Sequence, residues 1–122
     1  MLNPYLYDVY AELNKFLPAN SENDKSLVIN ARRKGNATRF LNHSCKPNIK
    51  HIDVFICRDR LPVIAFFALT DIKKDSQLFV DYGQGYWKKM NTRGIFCHCG
   101  IDGCKFSREE FDKNKNTSVT VP

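Results

Sequence analysis

A chain of 122 residues, 43% of them hydrophobic, has room for one modest core and not for several domains. A formal charge of +6 excludes an acidic, self-repelling chain and favours an anionic neighbour such as nucleic acid, though it fixes no site. No apolar run approaches the roughly 20 residues that cross a bilayer, so no membrane segment is expected.

Taken in chain order, Ala19 to Lys25 reads as a polar loop. Ser26 to Ile29 follows as a short strand. Asn36 to Leu41 is expected to make one helical turn, directly before Asn42-His43-Ser44-Cys45. Ile49 to Cys57 and Pro62 to Leu69 have the β-branched and aromatic content of two strands, joined by the polar turn Arg58-Asp59-Arg60. A further strand, Gln77 to Val80, runs into Asp81-Tyr82-Gly83. Residues 93–107 carry a dense cysteine segment, and 108–122 read as a polar, frayed tail. The pattern is mainly β, with irregular connections and no long amphipathic helix.

The cysteines carry the sharpest chemistry. Cys97, Cys99 and Cys104 lie within eight residues, and Cys45 waits upstream. Three thiols cannot close a tetrahedral sulfur site, so a zinc here needs a fourth ligand, and Cys45 leads the candidates. Cys97 and Cys99 are too close in sequence for a relaxed disulfide. Five cysteines also leave one over in any pairing. Disulfides or unrelated thiols are the competing reading. Cys57, inside Val54-Phe55-Ile56-Cys57, reads as a small buried hydrophobe. His98, between two proposed ligands, could compete as a donor but reads rather as solvent-facing or backbone-contacting.

Arg39-Phe40-Leu41-Asn42-His43-Ser44-Cys45-Lys46-Pro47-Asn48 resembles the R-F-x-N-H-S-C-x-P-N signature of SET-domain lysine methyltransferases. Val80-Asp81-Tyr82-Gly83 is similar to the family's catalytic F-D-Y-G segment, and Phe66-Phe67-Ala68 with Asp71-Ile72 to the strand and turn before it. Cys97-x-Cys99-x4-Cys104 matches the post-SET zinc motif. Tyr5-Leu6-Tyr7-Asp8, Asn30-Ala31-Arg32 and Tyr86-Trp87 narrow the likeness to histone H3 lysine-9 enzymes of the euchromatic and suppressor-of-variegation class. The resemblance covers about Pro4 to Ser107.

This resemblance implies a β-clip-like SET fold in which the C-terminal segment passes through the loop around Asn42-His43 as a pseudoknot. Residues 1–92 are then the C-terminal part of a SET domain, 93–107 a post-SET zinc segment and 108–122 a tail. The family's glycine-containing segment and first strands would lie before Pro4, so the isolated chain is expected to bind cofactor weakly or not at all. The implied reaction moves a methyl group from S-adenosylmethionine to a lysine of histone H3. Tyr82 is the implied catalytic residue, with Tyr5 beside it. Asn42, His43, Tyr5, Phe96 and Cys97 are implied cofactor contacts. Val80, Tyr86 and Asp8 line the substrate channel, and Cys45, Cys97, Cys99 and Cys104 bind Zn2+. Nuclear, chromatin-bound location with nucleosomal DNA nearby follows from the same likeness. Two alternatives are a catalytically inactive zinc-stabilised chromatin interaction module and, on charge and aromatics alone, a zinc-bearing nucleic-acid binder.

Overall fold

The computed structural model describes residues 6–9, 27–56 and 61–117. Tyr5, the loop Ala19 to Lys25, Cys57, the turn Arg58-Asp59-Arg60 and the last five residues lie outside the described residues. The elements in order are β1 (Leu6–Val9), β2 (Leu27–Asn30), a 3-10 turn (Ala37–Phe40), β3 (Asn42–His43), β4 (Ile49–Ile56), β5 (Leu61–Ala68), β6 (Phe79–Val80), α1 (Gln84–Asn91) and α2 (Arg108–Thr117). The expected strands are present with ends shifted by a residue or two. The strand expected from Gln77 begins at Phe79.

The described residues divide into two compact units. One comprises those up to Leu41 together with His51–Phe66. In it β1 and β2 pair antiparallel, which sets Asp8 opposite Val28 and Tyr7 opposite Ile29. The 3-10 turn starts at Asn36, whose side-chain oxygen accepts from the Thr38 N–H at 3.1 Å and the Thr38 hydroxyl at 2.6 Å. That carboxamide satisfies an amide the short helix leaves unpaired. Arg39 then reaches back, its guanidinium donating to the Ala31 and Arg32 carbonyls at 3.1 Å each. Arg39 is thereby a fastener of the segment after β2. The four residues between β4 and β5 are too few for a parallel crossover, so the two pair as a hairpin.

The second unit comprises Asn42–Lys50 and the residues from Phe67 onward. Its core is small: Ile49, Val80, Trp87, Met90 and Cys97, with the Ser44 side chain buried among polar partners. β3 and β6 pair parallel, Asn42 opposite Phe79 and His43 opposite Val80. Two residues per strand give a weak ladder, and Asn48 reinforces it. Its main-chain carbonyl accepts from the Leu69 N–H at 2.9 Å. Its side chain accepts from the Phe79 N–H at 2.8 Å and donates to the Gln77 carbonyl at 2.9 Å.

Helix α1 buries Trp87 and Met90, three residues apart and therefore on one side. It ends in a Schellman motif. The Gly94 N–H meets the Asn91 carbonyl at 3.0 Å and the Ile95 N–H meets the Met90 carbonyl at 3.0 Å. Gly94 has φ +76°, the left-handed value such a cap requires. The segment expected as a polar tail winds into α2 through residue 117. Ser107 starts it, its hydroxyl accepting from the Glu110 N–H at 3.3 Å. Glu109 and Glu110 in the first turn and Lys115 in the last suit the helix dipole.

Candidate functional site

The site is built where β3 and β6 meet and where the cysteine segment returns to Cys45. Ser44 extends the β3–β6 pairing, its N–H donating to the Val80 carbonyl at 3.1 Å. Its hydroxyl accepts from the Lys46 N–H at 3.1 Å, which turns the chain and presents Cys45. From the other end, the Cys97 N–H pairs with the Phe106 carbonyl at 2.9 Å and closes the cysteine segment into a loop.

The sulfurs of Cys45, Cys97, Cys99 and Cys104 all lie within 4.8 Å of one another. Cys45 and Cys104 are 3.6 Å apart, sulfur to sulfur. A tetrahedral site with metal–sulfur bonds of about 2.3 Å has an edge of about 3.8 Å, so the spacing fits a tetrathiolate centre and is far from a disulfide bond. His98 is exposed and stands outside this group.

Without a cation Cys45, Cys97 and Cys99 ionise unequally. Burial pushes Cys45 up to about 11, partly offset by the Lys105 N–H, and burial likewise drives Cys97 upward. Cys99 is held at about 6: burial opposes its charge, but the N–H groups of Cys45 and Ile101 and the neighbouring thiols outweigh it. The Cys99 thiolate forms readily, while charge on Cys45 and Cys97 needs a cation to compensate it.

Beside the sulfurs lies an aromatic cluster centred on His43, whose side chain is 4% exposed. Its ring meets Trp87 edge-on at 4.9 Å and Phe106 edge-on at 5.9 Å, and lies tilted against Tyr82 at 5.4 Å. Trp87 stacks on Phe106 at 5.8 Å, and Tyr82 packs edge-on against Tyr86 at 4.9 Å. The Tyr82 N–H donates to His43 Nδ1 at 3.0 Å, while His43 Nε2 lies 3.5 Å from the Cys45 sulfur. Burial lowers the His43 pKa, with Asp81 opposing, which leaves the ring neutral. Asp81 itself turns to the Gly83 N–H at 2.8 Å. Tyr82 remains 37% exposed, so its ring borders solvent on the side not covered by His43 and Tyr86. Burial raises the Tyr86 pKa and keeps that phenol protonated.

The SET-domain family model matches residues 4–83. The chain belongs to the SET-domain family. This SET chain is 31% identical over 117 residues to the mouse (Mus musculus) histone-lysine N-methyltransferase EHMT1, covering 94% of the chain and 9% of that protein. It is 40% identical over 89 residues to the Arabidopsis thaliana histone-lysine N-methyltransferase, H3 lysine-9 specific SUVH5, covering 68% of the chain and 11% of that protein. It is 48% identical over 100 residues to the Xenopus laevis histone-lysine N-methyltransferase SUV39H1, covering 64% and 24%. The SET chain thus spans less than a quarter of the length of each of these relatives.

Of the residues singled out in the sequence, His43, Val80, Tyr82, Tyr86 and the four cysteines belong to the second unit, with Val80 buried in β6. Asn42 is exposed on β3. Phe96 packs against Phe111 at 5.4 Å and under the Arg108 guanidinium, in a groove between the end of α1 and α2. Asp8 sits on β1 of the other unit. Sequence reasoning gave no role to Asn48, Trp87 or Phe106. The Pro47-Asn48 end of the signature was the available signal for the first.

Proposed function

We propose that this chain carries the catalytic segment of a protein-lysine N-methyltransferase that uses S-adenosylmethionine, acts on histone H3 at lysine 9, and holds one structural zinc. The observation that most supports this is the position of Tyr82, anchored through its amide to His43 while its ring borders solvent between two aromatic neighbours. The names of the relatives support the reaction, and that of the Arabidopsis protein supports lysine 9.

The chemistry asks little covalent work of the protein. A lysine amine has a reference pKa of about 10.4 and must lose its proton before it can attack. A poorly solvated aromatic channel disfavours the ammonium and lowers that value. Tyr82 suits the task because its hydroxyl can orient the neutral amine without adding charge. S-adenosylmethionine supplies an electrophilic methyl group on a sulfonium. Asn42, exposed and with an amide that both donates and accepts, fits the amino-acid end of such a molecule. Both ring nitrogens of His43 are engaged, so its share of cofactor contact comes from its main chain. Tyr5, Phe96 and Cys97 complete the contacts carried over from the family, and Asp8 would pair with a basic residue of the histone tail.

Zinc fits the sulfur cluster because four thiolates form a closed, borderline-soft set, which marks a structural rather than a catalytic metal. The return of the cysteine segment to Cys45 beside β3 and β6 supports the pseudoknot expected of the fold. We assign residues 1–92 to the SET portion and 93–107 to the metal segment. Such an enzyme works in the nucleus on chromatin, where the +6 charge suits nucleosomal DNA as a neighbour. No helix among the described residues is long and apolar enough to cross a membrane.

The test is methyl transfer from labelled S-adenosylmethionine to histone H3, run on this chain and on the same residues within the longest reading frame that contains them. Tyr82→Phe keeps the ring and deletes the hydroxyl. It should remove most of the transfer while leaving the zinc content unchanged. Incorporation no higher than that of the variant, in both forms of the protein, would sink the catalytic reading and leave a zinc-stabilised interaction module.

A further inference from the structure

The His43 ring joins two parts of the site that are far apart in sequence, and its two nitrogens do different work. Nδ1 receives the Tyr82 N–H at 3.0 Å. A main-chain amide only donates, so Nδ1 is the lone-pair nitrogen and the proton of the neutral ring sits on Nε2. Nε2 in turn lies 3.5 Å from the Cys45 sulfur, in line to donate to it. The competing arrangement would protonate Nδ1 and pair it with Asp81. That carboxylate oxygen is 3.6 Å away, beyond hydrogen-bond range, and accepts from the Gly83 N–H instead. The ring cannot rotate freely to another arrangement, because Trp87, Phe106 and Tyr82 pack around it.

We propose that His43 is a positioning residue that ties the metal centre to the Tyr82 main chain, donating from Nε2 to the metal-bound sulfur of Cys45 while Nδ1 holds the Tyr82 amide. The proposal rests on the metal reading of the cysteine cluster and not on the transfer reaction. Hydrogen bonds to a metal-bound thiolate draw charge from the sulfur, orient the ligand and commonly change metal affinity 10–100-fold. Filling the metal site would therefore fix the ring, and the ring would fix where β6 runs into Tyr82. Loss of the metal would be felt at Tyr82, although Tyr82 is not among the four ligands.

Three substitutions separate the two hydrogen bonds. His43→Phe keeps a ring against Trp87 and Phe106 and removes both bonds. His43→Gln places an amide near the Nε2 position, and His43→Asn places one near Nδ1. The zinc-loaded protein and its Co2+ form are used, with three readouts: zinc affinity by chelator competition, the thiolate-to-cobalt absorption band, and hydrogen exchange of the Tyr82 amide. His43→Phe should weaken zinc binding at least about 10-fold, shift the cobalt band and speed exchange at Tyr82. His43→Gln should restore the band and the affinity but not the Tyr82 protection, and His43→Asn should do the reverse. Removing zinc from the unaltered protein should also speed exchange at Tyr82. A cobalt band and Tyr82 protection unchanged in His43→Phe would overturn the bridge while leaving the metal centre standing. An unaltered protein that takes up neither zinc nor cobalt would overturn both.

Discussion

The Asn48 side chain accepts the Phe79 N–H at 2.8 Å and so sets β6 against β3 from a position five residues beyond His43. The same carboxamide donates to the Gln77 carbonyl at 2.9 Å. One side chain thereby does for the short β3–β6 pair what a third strand does in a wider sheet. Asn48→Asp preserves the shape and the acceptor but sets an oxygen against the Gln77 carbonyl. Because the Gln77 carbonyl is exposed, this should lower stability by about 0.5–1.5 kcal/mol, the usual net contribution of one hydrogen bond. Denaturant midpoints of the two proteins measure this, and equal midpoints would show that the clamp is dispensable.

Metal removal should be a folding event and not only a local loss. Metal analysis should give one zinc per chain, and chelation should destabilise the second unit with an apparent linkage on the order of 10 kcal/mol, as in other structural thiolate sites. Cys99→Ser and Cys104→Ser should each lose most of the bound zinc. Full zinc content in Cys99→Ser would remove it from the ligand set.

The pH dependence of the metal-free chain follows from the same thiols. Cys99 ionises at about 6, below the ordinary thiol value, so its charged form adds stability above that ordinary value and this is lost as pH falls through about 6. Cys45, raised to about 11, has the opposite sign: its contribution is complete below the ordinary thiol value and disappears as pH rises through about 11. At pH 7 an alkylating reagent should therefore label Cys99 first, and bound zinc should block the reaction. Mass spectrometry of partially labelled protein checks this; even labelling of the four cysteines would count against it.

Gly83 follows Tyr82 at φ +87° and ψ +161°, a backbone region essentially closed to other residues. No neighbour lies within 4 Å of an added Cβ, so the cost of Gly83→Ala comes from the backbone and not from a clash. The substitution should cost about 1–3 kcal/mol and turn the Tyr82 segment away from His43. Thermal unfolding measures the first effect and Tyr82 amide exchange the second.

Val80 is buried two positions before Tyr82, where the resembling enzymes carry an aromatic residue. If it lines the lysine channel, its small side chain leaves space for an amine that already bears methyl groups. Val80→Phe should shift the product on an H3 peptide toward fewer methyl groups per lysine, with first-methyl transfer retained. Mass spectrometry of the product gives the distribution, and an unchanged distribution would remove Val80 from the channel wall.

The parts of this molecule that were legible in the sequence are those whose chemistry is local or rare. Four thiols with one other cysteine in the chain point to a metal site, and the β-branched and aromatic content of Ile49 to Ile56 points to a strand. The two helices were not read. Gly85 and a run of polar residues mask α1, whose apolar contribution rests mainly on Trp87 and Met90. Eight of the ten residues of α2 are charged or amide-bearing, which makes the segment look like a tail, although Ser107 followed three residues later by Glu110 is a readable start signal. The double engagement of His43 was out of reach, because it exists only once β3 lies beside β6.

Cys45 and Cys104 are 59 residues apart along the chain. During synthesis at about 5–20 residues per second, Cys45 is added to the chain roughly 3–12 s before Cys104, its last partner. Throughout that interval the thiol and the His43 ring beside it have no centre to join. Metal capture by this cluster would therefore be a late step that completes the second unit, requiring both reduced sulfur and metal at the end of translation. A chain stopped between Gly83 and Cys97 would carry the whole matched SET segment and none of the cysteine segment that closes it.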